Sequence, residues 1–248
     1  MNQHQRTKVT PDGAGLLPGL AQDFVIFGFH QNELKILVLE YRNTGLFALP
    51  GGFVREDENL NDAARRVLAE RTGLTDIYLE QFYTFGDRNR HDPAPLKAIM
   101  VANGLTPVDN HWLLRRFVTV GYYALVDFTQ AVPTPDALSD RCDWYDLNQL
   151  PPLMLDHQTI VQKALETLRA GLDRNLPGYN HRTAPLLPAL FTMADLQRLY
   201  ETILGQPLHR SNFQRKMLGL AILERIEKKY TGGAHKAPYL YRFRPPAT

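Results

Sequence analysis

From Asp23 to Arg42 apolar and polar positions alternate about a short polar break: "DFVIFGFH", then "QN", then "ELKILVLEYR". A period of two sends successive side chains to opposite faces, so the pattern predicts a β-hairpin. "LFALPGG", residues 46–52, predicts another short strand ending in a Gly-rich turn. The period then changes. Leu60, Ala63, Ala64, Val67 and Leu74 share one stripe at about 100° per residue, which predicts an amphipathic helix starting at Glu58–Leu60. Gly73 suits its left-handed C-cap. "DIYLEQFYTFG" (76–86) and "FVTVGYYALVDF" (117–128) are rich in β-branched and aromatic residues and predict strands. The segment 87–116 between them is long enough to be functional or to carry structure of its own. "DHQTIVQKALETLRAGL" predicts a second helix with Ile160, Val161, Ala164, Leu165 and Leu168 on one face.

After this helix the composition shifts to Pro and polar residues in "DRNLPGYNHRTAPLLPAL", which reads as a linker. Beyond it, Thr192 and Asp195 form a capping-box start, and Leu196, Leu199, Tyr200, Ile203 and Leu204 have helical spacing. Gly205 and Pro207 break the chain. A further helix is expected from Ser211 to Leu220, capped by Ser211 or Asn212, with Phe213, Met217, Leu218 and Leu220 available to a core. "AILERIEKKY", "TGGAH" and "APYLYRF" predict a hairpin with a Gly-rich tip. Helix, turn, helix and basic hairpin is the layout of a winged helix-turn-helix. The expected organisation is a leader at 1–20, a mixed α/β domain at 21–172, a linker at 173–189 and a small domain at 190–248.

Composition narrows the class. The chain has 248 residues, 44% hydrophobic and 22% charged, as in ordinary globular protein rather than a disordered chain. Its apolar runs are too short to span a bilayer, and the polar N-terminus lacks the apolar core of a signal peptide. A single cysteine, Cys142, excludes an internal disulfide. A cytoplasmic location without membrane contact is expected. Net charge is +2, yet Gly205–Thr248 carries nine basic against two acidic residues, +7, which leaves −5 for the remainder. Such asymmetry suits a polyanion-binding module on an acidic partner domain, and a merely solvated basic face fits the charge as well.

The stretch "LPGGFVREDENLNDAARRVLAERTGL" carries the chemistry. Gly52, Glu58, Arg66, Leu68, Glu70, Gly73 and Leu74 stand at the spacing of the Nudix box, and the arrangement of strand, Gly-rich turn and helix resembles the Nudix family. The resemblance implies a diphosphate-binding fold in which helical carboxylates hold divalent metal to hydrolyse a nucleoside diphosphate. Two of those carboxylates are replaced, by Val67 and Arg71. A like charge at ~4 Å with an effective dielectric of ~20 costs about 4 kcal/mol, so Arg71 opposes a metal there. No catalytic residue, metal or cofactor is therefore expected, with Glu58, Arg66 and Glu70 as remnants. Val67 also fits the buried stripe of the helix, and Arg66 and Glu70 are spaced to pair at i,i+4. Arg71 is either a phosphate contact or a solvent-facing helix residue. "YTFGDRNRHDP" is similar to the segment after the box helix in proteins that handle ADP-ribose. The implied ligand contacts are Gly51, Gly52, Glu70, Arg71, Asp87, Arg88 and Arg90. "WLLRRF" (112–117) reads as a lid, an arm or a dimer contact.

A degenerate box followed by this C-terminal layout is similar to the Nudix-related transcriptional regulators, whose branches are associated with NAD metabolism and with sugar catabolism, arabinose included. The resemblance implies an α+β chain, a Nudix-like α/β/α sandwich followed by a winged helix-turn-helix. It implies a homodimeric repressor that binds double-stranded operator DNA and answers to an ADP-ribose-like or pentose effector. A recognition helix meets base edges with its N-terminal residues, and basic wing residues neutralise phosphates. The expected DNA contacts are Arg210, Ser211, Asn212, Gln214, Arg215 and Lys216 on the helix, and Lys228, Lys229, His235 and Lys236 on the wing. The alternatives are an active Nudix pyrophosphatase completed by Asp87 or Asp92, and a C-terminal module that binds protein rather than DNA.

Overall fold

The structure, a computed structural model, describes residues 13–75, 77, 79–135, 139–173, 186–229 and 237–244. The expected hairpin is present: β1 (Leu16–His30) pairs antiparallel with β2 (Glu33–Tyr41), Phe27 opposite Ile36 and His30 opposite Glu33. Gln31 and Asn32 form its turn at φ 47° and 68°, the left-handed pair that matches the twist of two strands. β1 begins earlier than its alternation suggests, so Leu16–Leu20, expected in the leader, is strand. The reason is long-range pairing: Leu16 faces Arg55 of β4 (Gly51–Arg55), and Leu20 lies beside Val118 of the parallel strand β6 (Val118–Val126).

With β3 (Leu46–Ala48), β5 (Leu79–Phe85) and β7 (Ser139–Asp146) the strands form one sheet of order β3-β2-β1-β6-β5, with β4 also on β1 and β7 also on β2. β1 is buried on both faces. Phe24 and Ile26 meet Ala64, Val67 and Leu68 of α1 (Leu60–Thr72), while Val25 and Phe27 face the cluster of Ile160, Val161, Ala164 and Leu168 of α3 (His157–Gly171). This is the expected α/β/α sandwich. α1 ends at Gly73, φ 71°, as its sequence requires. The segment 87–116 does carry its own structure, a helix α2 (Ala94–Ala102) and two short 3-10 turns, Arg88–Arg90 and Trp112–Leu114.

The C-terminal part holds a three-stranded sheet, β8 (Phe191–Thr192), β10 (Tyr239–Phe243) and β9 (Leu223–Lys228) in that order, beside α4 (Met193–Leu204) and α5 (Arg210–Gly219). The capping box at α4 is complete: the Thr192 hydroxyl accepts from the Asp195 N–H, and the Asp195 carboxylate accepts from the Thr192 N–H. α5 starts one residue before the expected Ser211. His209 is its N-cap position, so Ser211 and Asn212 lie inside the first turn rather than capping it. Phe213 and Met217, four apart, are buried against α4, Tyr200 meeting the Phe213 ring edge-on at 5.1 Å. Leu218 falls off that stripe and Leu220 lies at the C-cap, past the last helical residue; the two, expected in the core, are 47% and 41% exposed.

The apolar cluster under α3 continues into this module through Leu172, Leu186, Phe191, Leu196 and Leu199. Polar contacts accompany it. Arg169 Nε donates to the Ile203 carbonyl at 2.9 Å, and the Thr202 hydroxyl donates to the Asn32 carbonyl at the β1–β2 turn. Most of the expected linker, 174–185, lies outside the described residues. No helix among the described residues is long and apolar enough to cross a membrane.

Candidate functional site

The box helix sets the geometry of the first candidate site. Glu58, just before α1, is gripped by Arg66 through two hydrogen bonds, Nη2 to Oε1 at 2.5 Å and Nε to Oε2 at 2.9 Å, and also accepts from the Arg55 N–H. The Arg66 hydrogen bond holds the Glu58 carboxyl below its ordinary pKa, and Glu58 in turn raises that of Arg66. Arg66 also donates to the Phe53 carbonyl at 3.0 Å and reaches Glu70 at 3.4 Å, so the expected i,i+4 pair is the weaker of its ion pairs. The cluster is a clamp between the Gly-rich turn and the helix.

The side chains present do not suit a divalent metal. Both oxygens of Glu58 are taken by Arg66, and Glu70 stands beside that same cation. Arg71 Nη2 reaches to 3.5 Å of the Gly51 carbonyl, placing its charge at the turn. Val67 is 1% exposed and packs so closely on Gly52 that a Cβ there would lie 2.5 Å from Val67 Cγ2. Among the described residues no three His, Cys, Asp or Glu side chains gather as a ligand set. Gly52→Ala is accordingly expected to destabilise the chain by about 1–3 kcal/mol by overpacking. Adding Val67→Ala should recover part of that loss, which urea denaturation of the single and double variants measures.

The segment after β5 divides the remaining expected contacts. Asp87 accepts from the Asn89 N–H at 2.7 Å and opens the 3-10 turn, and Asp87 and Arg88 are exposed. Arg90, expected as a ligand contact, is enclosed by partners within the protein. Its side chain is 7% exposed and donates to both oxygens of Asp156 at 2.8 and 2.9 Å and to the Phe117 carbonyl at 2.8 Å, with Asp23 at 3.8 Å. A guanidinium so enclosed ties β1, the 3-10 turn, the start of β6 and the N-terminus of α3 together. His157 belongs to the same knot: its Nδ1 accepts from the Leu49 N–H at 2.9 Å and its Nε2 lies 3.8 Å from Asp23. Leu155, immediately before Asp156, takes a left-handed φ of 54°, an uncommon conformation for a bulky side chain. Asp23, Asp156 and His157 were not expected from sequence. Asp23 sits within an apolar strand, Asp156 and His157 are the N-cap and first residue of α3, and only the fold brings them to Arg90.

The extra segment folds back on the box. Trp112 meets Phe53 of β4 edge-on at 4.9 Å and Phe117 at 6.1 Å, and Arg116 donates to the Gly86 carbonyl. "WLLRRF" thus covers the strand beside the Gly-rich turn.

The second candidate site is the outer face of α5. Arg210, Ser211, Asn212, Gln214, Arg215 and Lys216 are all exposed, while Phe213 and Met217 anchor the helix. Arg215 donates to Asn212 at 3.2 Å, and Lys216 pairs with Asp173 at 2.5 Å. On the wing Lys229 is exposed and Lys228 stands over the Tyr239 ring at 5.6 Å. Arg225 lies over the same ring at 4.4 Å, a further basic side chain of the wing that is absent from the expected contacts. His235 and Lys236 lie outside the described residues.

Comparison with known proteins matches both parts. The NUDIX domain model matches residues 19–166, and the model described as the NrtR DNA-binding winged helix domain matches residues 183–243. The "ADPR responsive transcriptional repressor NtrR" of Acinetobacter baylyi is 34% identical over 233 residues, 91% of this chain and 82% of that one. The crystal structure of Shewanella oneidensis NrtR complexed with a 27mer DNA superposes with a TM-score of 0.63 at 28% identity, covering 91% of this chain and 94% of that one. An ADP-ribose pyrophosphatase of Methanocaldococcus jannaschii is 26% identical over 150 residues, 59% of this chain and 73% of that one.

Proposed function

Because the chain belongs to the Nudix family and joins that domain to an NrtR-type DNA-binding winged helix, we propose that it is an ADP-ribose-responsive transcriptional repressor. In this reading α5 and the β9–β10 wing hold duplex DNA, and the sandwich binds the effector without cleaving it. The observation that carries the reading is one chain holding both a box helix with Val67 and Arg71 in place of carboxylates and a helix with an exposed polar, basic face. The similarity to the Acinetobacter repressor along nearly the whole chain supports it. Gly51, Gly52, Glu70, Arg71, Asp87 and Arg88 remain the proposed effector contacts, with Arg71 supplying the positive charge that a metal supplies in a hydrolase. The working form is a homodimer, so that two recognition helices meet two half-sites.

An effector acts on DNA affinity only as far as it binds the two states of the protein differently. ADP-ribose at about a hundredfold excess over its Kd is expected to raise the melting temperature by roughly 5–10 °C. It should change the affinity for DNA from the protein's own promoter region at least about fivefold in a gel shift. NAD and arabinose run beside it identify the branch. A pyrophosphatase is the competing reading, favoured by the similarity to the Methanocaldococcus enzyme. Phosphate release from ADP-ribose and Mg²⁺ in a phosphatase-coupled assay, abolished by Glu70→Gln, would establish that reading in place of the sensor.

A further inference from the structure

Asp173 lies two residues beyond α3, beside both helices of the C-terminal module. Its carboxylate lies 2.5 Å from the Lys216 ammonium of α5. On the α4 side it adds to burial in raising the pKa of the Tyr200 hydroxyl. One turn earlier Arg169 donates to the Ile203 carbonyl near the end of α4. The last turn of α3 and the residues just after it therefore grip both helices. Its first turn is fixed in the polar knot, where Asp156 binds Arg90 and His157 accepts from Leu49, next to the Gly-rich turn.

Lys216 is half exposed on the helix face proposed for DNA, within reach of a phosphate. A phosphate drawn to an ammonium already paired with a carboxylate meets that second anion at close range and is repelled. We propose that Asp173 is an internal competitor for DNA phosphate, a residue that withholds Lys216 and so ties the position of α3 to the number of phosphates α5 neutralises. The inference rests on the DNA-binding reading given above and adds its regulation. A movement of α3 that withdraws Asp173 strengthens DNA binding, and one that seats it weakens binding.

Phosphate contacts are independent of sequence, so a random-sequence duplex serves as the probe for the full-length chain. Fluorescence anisotropy is measured across about 0.05–0.2 M salt, the range over which counterion release is steep. If a freed lysine adds one phosphate contact, Asp173→Asn binds roughly eightfold more tightly at about 0.1 M salt, and the salt slope steepens by about 0.9. Asp173→Ser should repeat both changes, and neither substitution should alter affinity when Lys216 is Ala. Wild-type binding left unchanged by both substitutions, or the same gain in the Lys216→Ala background, overturns the proposal while the DNA-binding reading stands. Absence of duplex binding by every variant, wild type included, overturns that reading and this inference together.

Discussion

A chain carrying Arg210→Ala, Arg215→Ala and Lys229→Ala is expected to bind duplex DNA about 500-fold more weakly than wild type at ~0.1 M salt, three phosphate contacts being lost at roughly eightfold each. The three side chains are exposed, on α5 and at the end of β9, and the buried anchors Phe213 and Met217 are untouched. Stability should thus change by no more than about 0.5 kcal/mol per site, and the loss reads as a binding effect. Anisotropy against salt also gives the slope, which should become shallower by about 2.7. Unchanged affinity in the triple variant would place the interface elsewhere and favour a protein-binding role for the module.

Arg90→Ala should lower unfolding free energy by about 3–5 kcal/mol, since it leaves one buried and one largely enclosed carboxylate without their shared cation. Asp23 and Asp156 are the groups stranded, with side chains 12% and 20% exposed. Lysine at this position should recover little, because one ammonium cannot meet both oxygens of Asp156 and the Phe117 carbonyl together. Urea denaturation followed by circular dichroism measures both. A change below about 1 kcal/mol would mean that the knot is solvated and holds nothing.

What the sequence reveals here follows from how local each signal is. The β1–β2 hairpin, α1, α3 and α4 rest on a period within their own residues, joined in α1 and α4 by a cap, and all are present. β7 is not visible in this way. "SDRCDWYD" is mostly polar and carries no expected element, and it is strand because Cys142 and Trp144 pair with Leu39 and Leu37 of β2 across the sheet. α2 lies in a Pro-rich insertion that offers no long periodic run. The site divides on the same line. Val67 and Arg71 could be read as departures from a spaced motif, since the motif is local. Arg90 could be recognised as part of a polar pattern but not as a strut, because Asp23 and Asp156, its partners, are 67 and 66 positions away. The exposed and buried faces of α5 were separable at Phe213 and Met217, whereas Leu218 and Leu220 show that an apolar residue near a helix end need not reach the core.

Val67 has a consequence for descent. Its side chain fills the space above Gly52 inside the sheet–helix core. A glutamate restored there alone would enter an apolar layer without a partner, at a cost of several kcal/mol. Any substitution path from this box to a full carboxylate set must therefore first loosen the packing around Gly52. The packed valine thus works as a ratchet, against which mutational drift alone has no easy way to a carboxylate at this position.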